Sequence, residues 1–335
     1  MPLQEEQIRE ALQLSGVSGI QNIQATGHDR RDRAALTRFD VRKQSHGSLA
    51  LVEKCTASEA LTYENKMYKH YAGKDVPLPK VYYNDYDPSA QESILLMDHL
   101  AETHRSLADW EVPVDPVKRA AIIESIAQFH AVSWGSREIA PPQHLANLEE
   151  YLRHLGYLER DYQEFKKRNP YSFGDEQFGL YEESLSGLRE QAPAHMERVA
   201  AFRNTTLIHG DLNVGNLLYP LSTQGKLCLI DLEAVKLGLC TEDLMMLFVH
   251  DLFHGPEATF RIFDQYYQAL NQHIREIYDD AQFAADVRTA IMEGIFFPVK
   301  LYTHYGIQEQ ELVSKSLDAY RGMTGITNQE SRNSL

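Results

Sequence analysis

Over the first hundred residues, short stretches that alternate apolar and polar positions are separated by turn residues. Such alternation is typical of half-buried strands, in which every second side chain faces the core. Five stretches are strand-like, near residues 20–26, 35–41, 48–54, 80–86 and 93–97; the second alternates clearly, whereas the third is almost continuously apolar. Two others repeat with helical spacing, at 5–14 and 58–71, and the second ends before Val76-Pro77-Leu78-Pro79. The pattern predicts a small sheet of about five strands with one packed helix.

From Asp98 onward the apolar positions recur with helical spacing instead. The predicted helices lie near 116–133, 145–168, 178–200, 257–280 and 283–303. One strand-rich passage, 205–232, interrupts them, with a turn at Thr223-Gln224-Gly225, and a polar tail is expected at about 325–335. We therefore predict an α+β protein with a β-rich lobe at residues 1–98 and a larger, mostly helical lobe at 99–335.

The charge of the chain is unevenly distributed. Its formal net charge is -15, which disfavours binding to a nucleic-acid backbone. Residues 1–100 carry 12 Lys+Arg and 14 Asp+Glu, so the remaining 235 residues carry 21 and 34. The acidic second part could attract a cationic substrate, but a solvated acidic surface explains the same counts.

The cysteines and the N-terminus bear on the compartment. Cys55, Cys228 and Cys240 are far apart and form no C-x-x-C pair, which disfavours a disulfide framework or a zinc site. The N-terminal residues are polar and acidic, unlike a signal peptide, and no apolar run reaches the ~18 residues of a membrane span. We expect a soluble cytoplasmic protein without membrane partners.

Residues 207–233 contain the polar side chains that are most suited to catalysis or metal binding. Apolar stretches bracket the loop His209-Gly210-Asp211-Leu212-Asn213-Val214-Gly215-Asn216, and Asp231 follows the next strand. Phosphoryl transfer needs a carboxylate for the acceptor proton and oxygen ligands for Mg²⁺. Asp211 suits the first role, and Asn216 and Asp231 suit the second. Alternatively, His209 and Asp211 only cap strands, and for His209 a structural role is favoured.

A lysine and a carboxylate in the first hundred residues complete this set. Lys54 ends the third predicted strand on the face shared with Ala50 and Val52, so its side chain should point inward. Glu64 lies on the helix face that should be buried, and a buried carboxylate needs a cationic partner. Glu59 is the other candidate, although Thr56-Ala57-Ser58-Glu59 fits a capping box. We predict that Lys54 pairs with Glu64 and contacts the α- and β-phosphates of a nucleotide.

Two further segments are candidates for nucleotide contacts. Residues 27–33 join the first two strands and contain three arginines but a single glycine, so they form either a phosphate-binding loop or a charged hairpin tip. The backbone of Met97, Asp98, His99 and Leu100 follows the fifth strand. There it could bond the adenine edge while Met97 lines an apolar pocket, although a buried strand would look the same.

The loop matches the kinase pattern H-R-D-L-x-x-x-N except at Gly210, and the chain resembles the aminoglycoside phosphotransferase and choline-kinase-like superfamily. Weaker agreement comes from residues 95–100 and 126–131, and the overall character is nearer the ecdysteroid-kinase-like branch. The resemblance implies a protein-kinase-like fold, with Asp211 as catalytic base, Asn216 and Asp231 as magnesium ligands, and Asp243 bracing the catalytic loop. Glu233 would assist near the metal.

The resemblance implies an ATP- and Mg²⁺-dependent phosphotransferase that acts on a hydroxyl. A small-molecule acceptor, for which a cationic compound is one candidate, is favoured over a protein because Gly210 replaces the kinase arginine. In addition, only about ten residues separate Asp231 from the next helix, near Glu242. Candidates for its pocket are Asp251, Glu293, Phe297 and Tyr302, each of which core or surface placement explains equally well. The alternative is a catalytically silent nucleotide-binding module of the same fold. The oligomeric state is left open.

Overall fold

A computed structural model describes residues 3–30, 34–44, 47–57, 62–87, 92–107, 115–137, 147–222 and 225–333. The chain forms two compact units. The first comprises Met1–Trp110 and Gly215–Val235, and the second comprises Glu111–Val214 and Lys236–Leu335. Thus the segment that contains Asn216 and Asp231 belongs with the N-terminal residues, whereas the single boundary expected near residue 98 would place it in the second lobe.

The first unit is built on an antiparallel sheet of five strands, which confirms the strand count. The strands are ordered β1-β2-β3-β5-β4. Their bounds are β1 (Ile20–Arg30), β2 (Ala34–Lys43), β3 (Ser48–Ala57), β4 (Val81–Asp87) and β5 (Glu92–Asp98). Because β3 is central, between β2 and β5, its residue Lys54 lies opposite Leu36 on one side and Leu95 on the other.

Two helices belong to this sheet. In α1 (Glu5–Leu14), Ile8 and Leu12 lie one turn apart and are fully buried in a cluster that also contains Val41 and Leu51 of the sheet. Helix α2 (Thr62–Tyr71) places Met67 and Tyr71 in the core, at 0% and 2% exposure, so the face shared with Glu64 is the buried one. The amphipathic pattern therefore orients Glu64 toward the protein interior.

A second, three-stranded sheet in the first unit carries the segment that returns from the C-terminal half of the chain. It is ordered β6-β8-β9, with β6 (His104–Ser106), β8 (Leu217–Pro220) and β9 (Cys228–Leu229). Leu229 N–H also donates to the Pro77 carbonyl at 2.6 Å. These bonds attach β8 and β9, the two strands that precede Asp231, to the N-terminal part of the chain.

The second unit is mainly helical, which confirms the α+β class. Its helices are α3 (Pro116–Val132), α4 (Leu148–Arg168), α5 (Asp175–Ala200), α6 (Cys240–Met245), α7 (Pro256–His273), α8 (Asp280–Gly294), α9 (Phe297–Tyr305) and α10 (Gln310–Asn333). A π-helical turn, Met246–Asp251, continues α6. A short two-stranded antiparallel sheet pairs β7 (Thr206–Ile208) with β10 (Lys236–Gly238), so the residues that precede Asp211 lie beside those that follow Asp231 in sequence.

Several predicted boundaries were wrong for identifiable reasons. The helix expected at 283–303 is two helices, because Pro298 lacks the N–H that a continuous helix would need there. Helix α7 ends at His273 instead of residue 280. Residues 325–333 continue α10 as a helix, whereas the sequence predicts a frayed polar tail at about 325–335. In addition, β1 extends through Arg30, so the first part of the expected 27–33 loop is strand.

Some expectations fall outside the described residues, namely Arg31 to Arg33, Ser58 and Glu59 of the proposed capping box, and the turn residues Thr223 and Gln224. Within the described part of the chain, none of the helices is both long enough and apolar enough to cross a membrane.

Candidate active site

In the first unit, one lysine contacts three carboxylates. Lys54 Nζ lies 2.8 Å from Glu64 Oε2, 2.7 Å from Asp231 Oδ1 and 2.7 Å from Glu233 Oε1. Strand β3, helix α2 and the segment after β9 each supply part of this group, which we call the Lys54 cluster. The structure thus brings together Lys54, Glu64 and Asp231, and it places Glu233, which the resemblance put near the metal, beside them.

The Lys54 cluster is buried on one side and open on the other. The side chains of Lys54 and Glu64 are 13% and 2% exposed, whereas those of Asp231 and Glu233 are 43% and 26% exposed. Burial raises the pKa of Glu64 to about 7, although the charge of Lys54 opposes this. Burial also acts to lower the pKa of Lys54, but Glu64, Asp231 and Glu233 together raise it well above its usual value. Lys54 therefore stays charged.

The backbone around Asp231 is fixed by hydrogen bonds and adopts a rare conformation. Asp231 has φ 67° and ψ 64°, the left-handed region that non-glycine residues seldom occupy. The next amide, Leu232 N–H, donates to Glu64 Oε1 at 3.3 Å, and Ile230 N–H donates to the Asn216 carbonyl at 3.1 Å. Such strained residues cluster at functional sites, where the surrounding structure holds them in place. In this conformation the Asp231 carboxylate lies 2.7 Å from Lys54 Nζ.

The Lys54 cluster has the donor set that a divalent cation requires. Glu64, Asp231 and Glu233 each offer an oxygen, and these atoms lie within 4.8 Å of one another. Mg²⁺ prefers such hard oxygen ligands, and with all three carboxylates ionised the net formal charge of the cluster, Lys54 included, is -2. Asn216 is linked to this segment through its carbonyl, as described above. Asp231 and Glu233 are the more exposed carboxylates, so they fit a Mg²⁺ ion better than the buried Glu64.

The segment proposed to contact adenine lies at the end of β5. Met97 is 7% exposed, and Leu100 begins a short 3-10 helix. Asp98 N–H donates to the Lys80 carbonyl at 3.0 Å, and His99 N–H donates to the Ala50 carbonyl at 2.9 Å. Two of the backbone donors in this segment are therefore engaged within the unit, and the Asp98 side chain accepts a further bond, from the Tyr82 hydroxyl at 2.8 Å.

In the second unit, Asp211 follows β7 in a tightly constrained loop. Gly210 has φ 77°, a conformation that strains any residue with a Cβ, so a kinase-type arginine would be strained at this position. Asn213 N–H donates to the Asp211 carbonyl at 3.0 Å, and Asn213 Nδ2 lies 3.1 Å from Asp211 Oδ1. The carboxylate of Asp211 is half-buried and is oriented by a neighbouring amide.

Asp243 stabilises this loop by accepting hydrogen bonds from two of its backbone amides. Its Oδ2 accepts from His209 N–H at 2.7 Å, and its Oδ1 accepts from Gly210 N–H at 2.9 Å. His130 Nε2 lies 3.0 Å from Oδ2, and His130 Nδ1 lies 2.7 Å from the Tyr266 hydroxyl. Burial alone would raise the pKa of Asp243, but the bonds from His130 and the loop hold it below its usual value. The carboxylate therefore remains ionised although it is only 1% exposed.

A second carboxylate holds the far end of the loop. Asp251 Oδ2, from the π-helical turn, accepts from Val214 N–H at 2.7 Å. Burial raises the pKa of Asp251, the Val214 bond lowers it, and the charge of Asp211 raises it further. From the sequence, Asp251 was only one of several candidates for a substrate pocket. Its spacing of eight residues after Asp243 on one helical stretch is the signal that both act on the same loop.

These two units define a class. A five-stranded antiparallel sheet carries a Lys–Glu pair, and a helical unit carries a loop with an aspartate supported by two further carboxylates. This is the protein-kinase-like α+β fold, and comparison with known proteins confirms it. The family model described as "Phosphotransferase enzyme family" matches residues 37–279, and the chain belongs to that family. No curated protein matches the chain significantly.

Solved structures show the same fold at low sequence identity. A candidate aminoglycoside phosphotransferase from Ralstonia eutropha JMP134 aligns with a TM-score of 0.56 and 14% identity, covering 94% of this chain and 95% of that one. A mutant of aminoglycoside 2'-phosphotransferase IIIa, solved with GDP, gives 0.52 and 14%, covering 96% and 98%. A thermostable mutant of APH(4)-Ia, solved with AMP-PNP and hygromycin B, gives 0.51 and 11%, covering 96% and 97%.

Proposed function

We propose that the protein transfers the γ-phosphoryl group of ATP to a hydroxyl of a small molecule in the presence of Mg²⁺. Family membership supports a phosphotransferase. The observation that most supports nucleotide chemistry in this chain is that Lys54 contacts both Glu64 and Asp231, the latter 177 positions away. A merely solvated lysine at a strand end would not collect three carboxylates. A position nearer the ecdysteroid-kinase-like branch stays a prediction.

In this proposal each residue has a separate role. Lys54, oriented by Glu64, neutralises the α- and β-phosphates, and the Met97 to Leu100 segment lies against the base. Asp231 and Asn216 would hold Mg²⁺, with Glu233 beside them, and the metal would supply charge neutralisation of the phosphates. Since the N–H groups of Asp98 and His99 are engaged, we expect the base to be recognised through other backbone atoms of that segment.

Asp211 acts on the acceptor. Its carboxylate orients the acceptor hydroxyl and takes the proton as the oxygen–phosphorus bond forms and the bond to the leaving nucleoside diphosphate breaks. Asn213 holds one oxygen of Asp211 in place, which fixes the orientation of the carboxylate. Asp243 and Asp251 fix the loop amides at both ends, so that the carboxylate is oriented before the substrate binds.

The decisive test is Asp211→Asn in a phosphate-transfer screen. The panel comprises amino alcohols, aminoglycosides, sugars and sterols, with ATP and GTP as alternative donors. We expect the variant to retain Mg²⁺-dependent nucleotide binding by calorimetry while turnover falls by about 10²–10⁴-fold, the usual contribution of a general base. Asp318→Asn, on the solvent-facing side of α10, is the matched control and should retain full activity.

Two outcomes would contradict the proposal. Absence of Mg²⁺-dependent nucleotide binding in the unmodified protein would exclude a kinase. Binding without turnover on any acceptor, identical in the unmodified protein and in Asp211→Asn, would favour the silent nucleotide-binding module instead.

A further inference from the structure

The second unit contains a cavity of about 220 Å³. It lies between strand β10, the start of α6 and the helices α4, α5 and α8. Its ionisable side chains come from six residues: Tyr151, His154, His195, Lys236, Glu242 and Glu293. Two of the helical candidates from the sequence, Phe297 and Tyr302, do not line it. The cavity is formed entirely within the second unit, and none of the residues assigned to phosphoryl transfer lines it.

Charged groups that face a packed interior are normally covered, but those of this cavity are not. The side chains of His154 and Glu293 retain 33% and 32% of their exposure, and those of Lys236 and Glu242 retain 34% and 31%. Four charged side chains from separate elements therefore open onto one recess. Such convergence of polar groups on a concave surface is the usual character of a small-molecule site.

The two carboxylates of the cavity are not equivalent. Glu242 Oε1 accepts from Leu239 N–H at 2.9 Å, and its Oε2 pairs with Lys236 Nζ at 2.6 Å. Gly238 makes this arrangement possible, because a Cβ there would lie 2.6 Å from Glu242 Oε1. Glu293 Oε1 lies 2.8 Å from His154 Nε2, but its Oε2 accepts only a long bond of 3.4 Å from the Tyr151 hydroxyl among the contacts that line the cavity. Glu293 is therefore the carboxylate more available to a ligand.

The fixed charges of the cavity do not balance. Lys236 is the one permanent cation among the six residues, against two carboxylates. Burial lowers the pKa of His195, which leaves that ring neutral. Burial also acts to lower the pKa of His154, but Glu293 raises it overall, and His154 in turn holds the pKa of Glu293 at about 2. Glu293 is thus compensated by His154, its hydrogen-bonded partner, and by Lys236, which also pairs with Glu242.

The aromatic ring of Tyr151 lies beside Glu293 in the cavity. The Tyr151 ring centroid lies 5.1 Å from that of His195 and 6.2 Å from that of His154. Aromatic faces next to carboxylates are how proteins attract organic cations, through the ring quadrupole together with charge-assisted hydrogen bonds. An anionic ligand would instead meet the two carboxylates.

We propose that this cavity binds a small organic cation that bears a primary ammonium group, with Glu293 as its main anchor and the Tyr151 ring beside it. The ammonium group replaces His154 as the partner of Glu293. The proposal is independent of phosphoryl transfer, because it assigns a second binding site and requires no reaction there.

Three probes of equal chain length test the charge preference: n-butylammonium, n-butanol and butyrate. Because n-butylammonium carries no hydroxyl, it cannot accept a phosphoryl group, so its binding is separate from the proposed activity. Binding is followed by NMR titration of the histidine ring signals in the full chain. We expect the His154 signals to shift with n-butylammonium, and both other probes to bind at least tenfold more weakly, as expected for loss of a charge-assisted hydrogen bond.

Two variants then change the affinity in opposite directions. Glu293→Gln should weaken n-butylammonium binding roughly tenfold or more, with the His195 signals as the readout. His154→Gln should strengthen it, because the ligand no longer competes with the native partner of Glu293. A general loss of folding would weaken binding in both. The matched control is Glu257→Gln, an exposed helical carboxylate paired with Arg261 and remote from the cavity lining, which should bind like the unmodified protein.

The proposal is overturned if n-butanol binds as tightly as n-butylammonium, or if no probe shifts the histidine signals. It is also overturned if Glu293→Gln binds the cation like Glu257→Gln, or if His154→Gln weakens binding.

Discussion

In the first unit, Lys54 contacts three carboxylates, whereas in the second unit Asp243 accepts bonds from two backbone amides and a histidine. Both arrangements contain buried carboxylates, yet their charge balance differs. The bonds around Asp243 satisfy its single charge, and the carboxylate is enclosed. The Lys54 cluster has two more negative charges than positive ones, and two of its carboxylates are partly exposed.

The difference shows how buried acidic groups divide between structure and ligand binding. A buried carboxylate that is fully hydrogen-bonded within the protein stabilises the fold and has no acceptor site left for a ligand. A group with surplus charge destabilises the fold until a cation binds, and stability is commonly sacrificed in this way at functional sites. From the sequence alone, Asp231 and Asp243 are two aspartates twelve positions apart. The sequence does not show that one is enclosed and the other partly exposed.

The largest effect is expected when the same substitution, aspartate to asparagine, is made at Asp243 and at Asp231. Asp243→Asn should lower the free energy of unfolding by about 3 kcal/mol, because two buried amides lose their charged acceptor. Asp231→Asn should leave stability unchanged or raise it, because it relieves repulsion within the Lys54 cluster, while Mg²⁺-dependent nucleotide binding is lost. Denaturant unfolding and calorimetry measure the two quantities. Equal destabilisation by both variants would contradict the comparison.

A pH dependence of opposite sign should separate the two units. The pKa of Glu64 is about 7 in the folded protein and near 4.5 when unfolded, so between these values the folded state binds the extra proton. Its contribution therefore falls as pH rises from about 4.5 to 7, by at most about 3 kcal/mol. Asp243, whose pKa is lowered, contributes stability above its unfolded pKa, and that contribution is lost as pH falls through its folded pKa.

The measurement is the free energy of unfolding against pH for the unmodified protein and for Glu64→Gln. The difference between the two curves should change over pH 4.5–7 in the direction given above. A difference that is constant over this range would mean that Glu64 ionises normally.

The smallest effect concerns the backbone of the Asp211 loop. Gly210→Ala places a Cβ at φ 77° and should cost about 1–2 kcal/mol of stability. The control is Gly179→Ala, within α5, where an added Cβ meets nothing within 4 Å; helix propensity should make it neutral or stabilising by up to about 1 kcal/mol. Thermal unfolding distinguishes the two. A neutral Gly210→Ala would show that the loop relaxes out of this conformation.

Much of the fold followed from local patterns. The strand-like patterns predicted the five strands of the first sheet. The buried face of α2 identified Glu64 as the partner of Lys54. The other candidate, Glu59, lies outside the described part of the chain. Helix ends were less predictable, as the break before α9 shows. There the apolar period continues through residues 283–303, and only Pro298 indicates that the backbone hydrogen bonds do not.

The sequence by itself determined the polar groups of the Asp211 loop and the order of the elements, because spacing and periodicity are properties of the chain. Only the tertiary structure decided which carboxylates meet Lys54, that Asp251 holds Val214, and that five elements enclose the cavity around Glu293. Those contacts join residues up to 179 positions apart, and they depend on packing that no local pattern encodes.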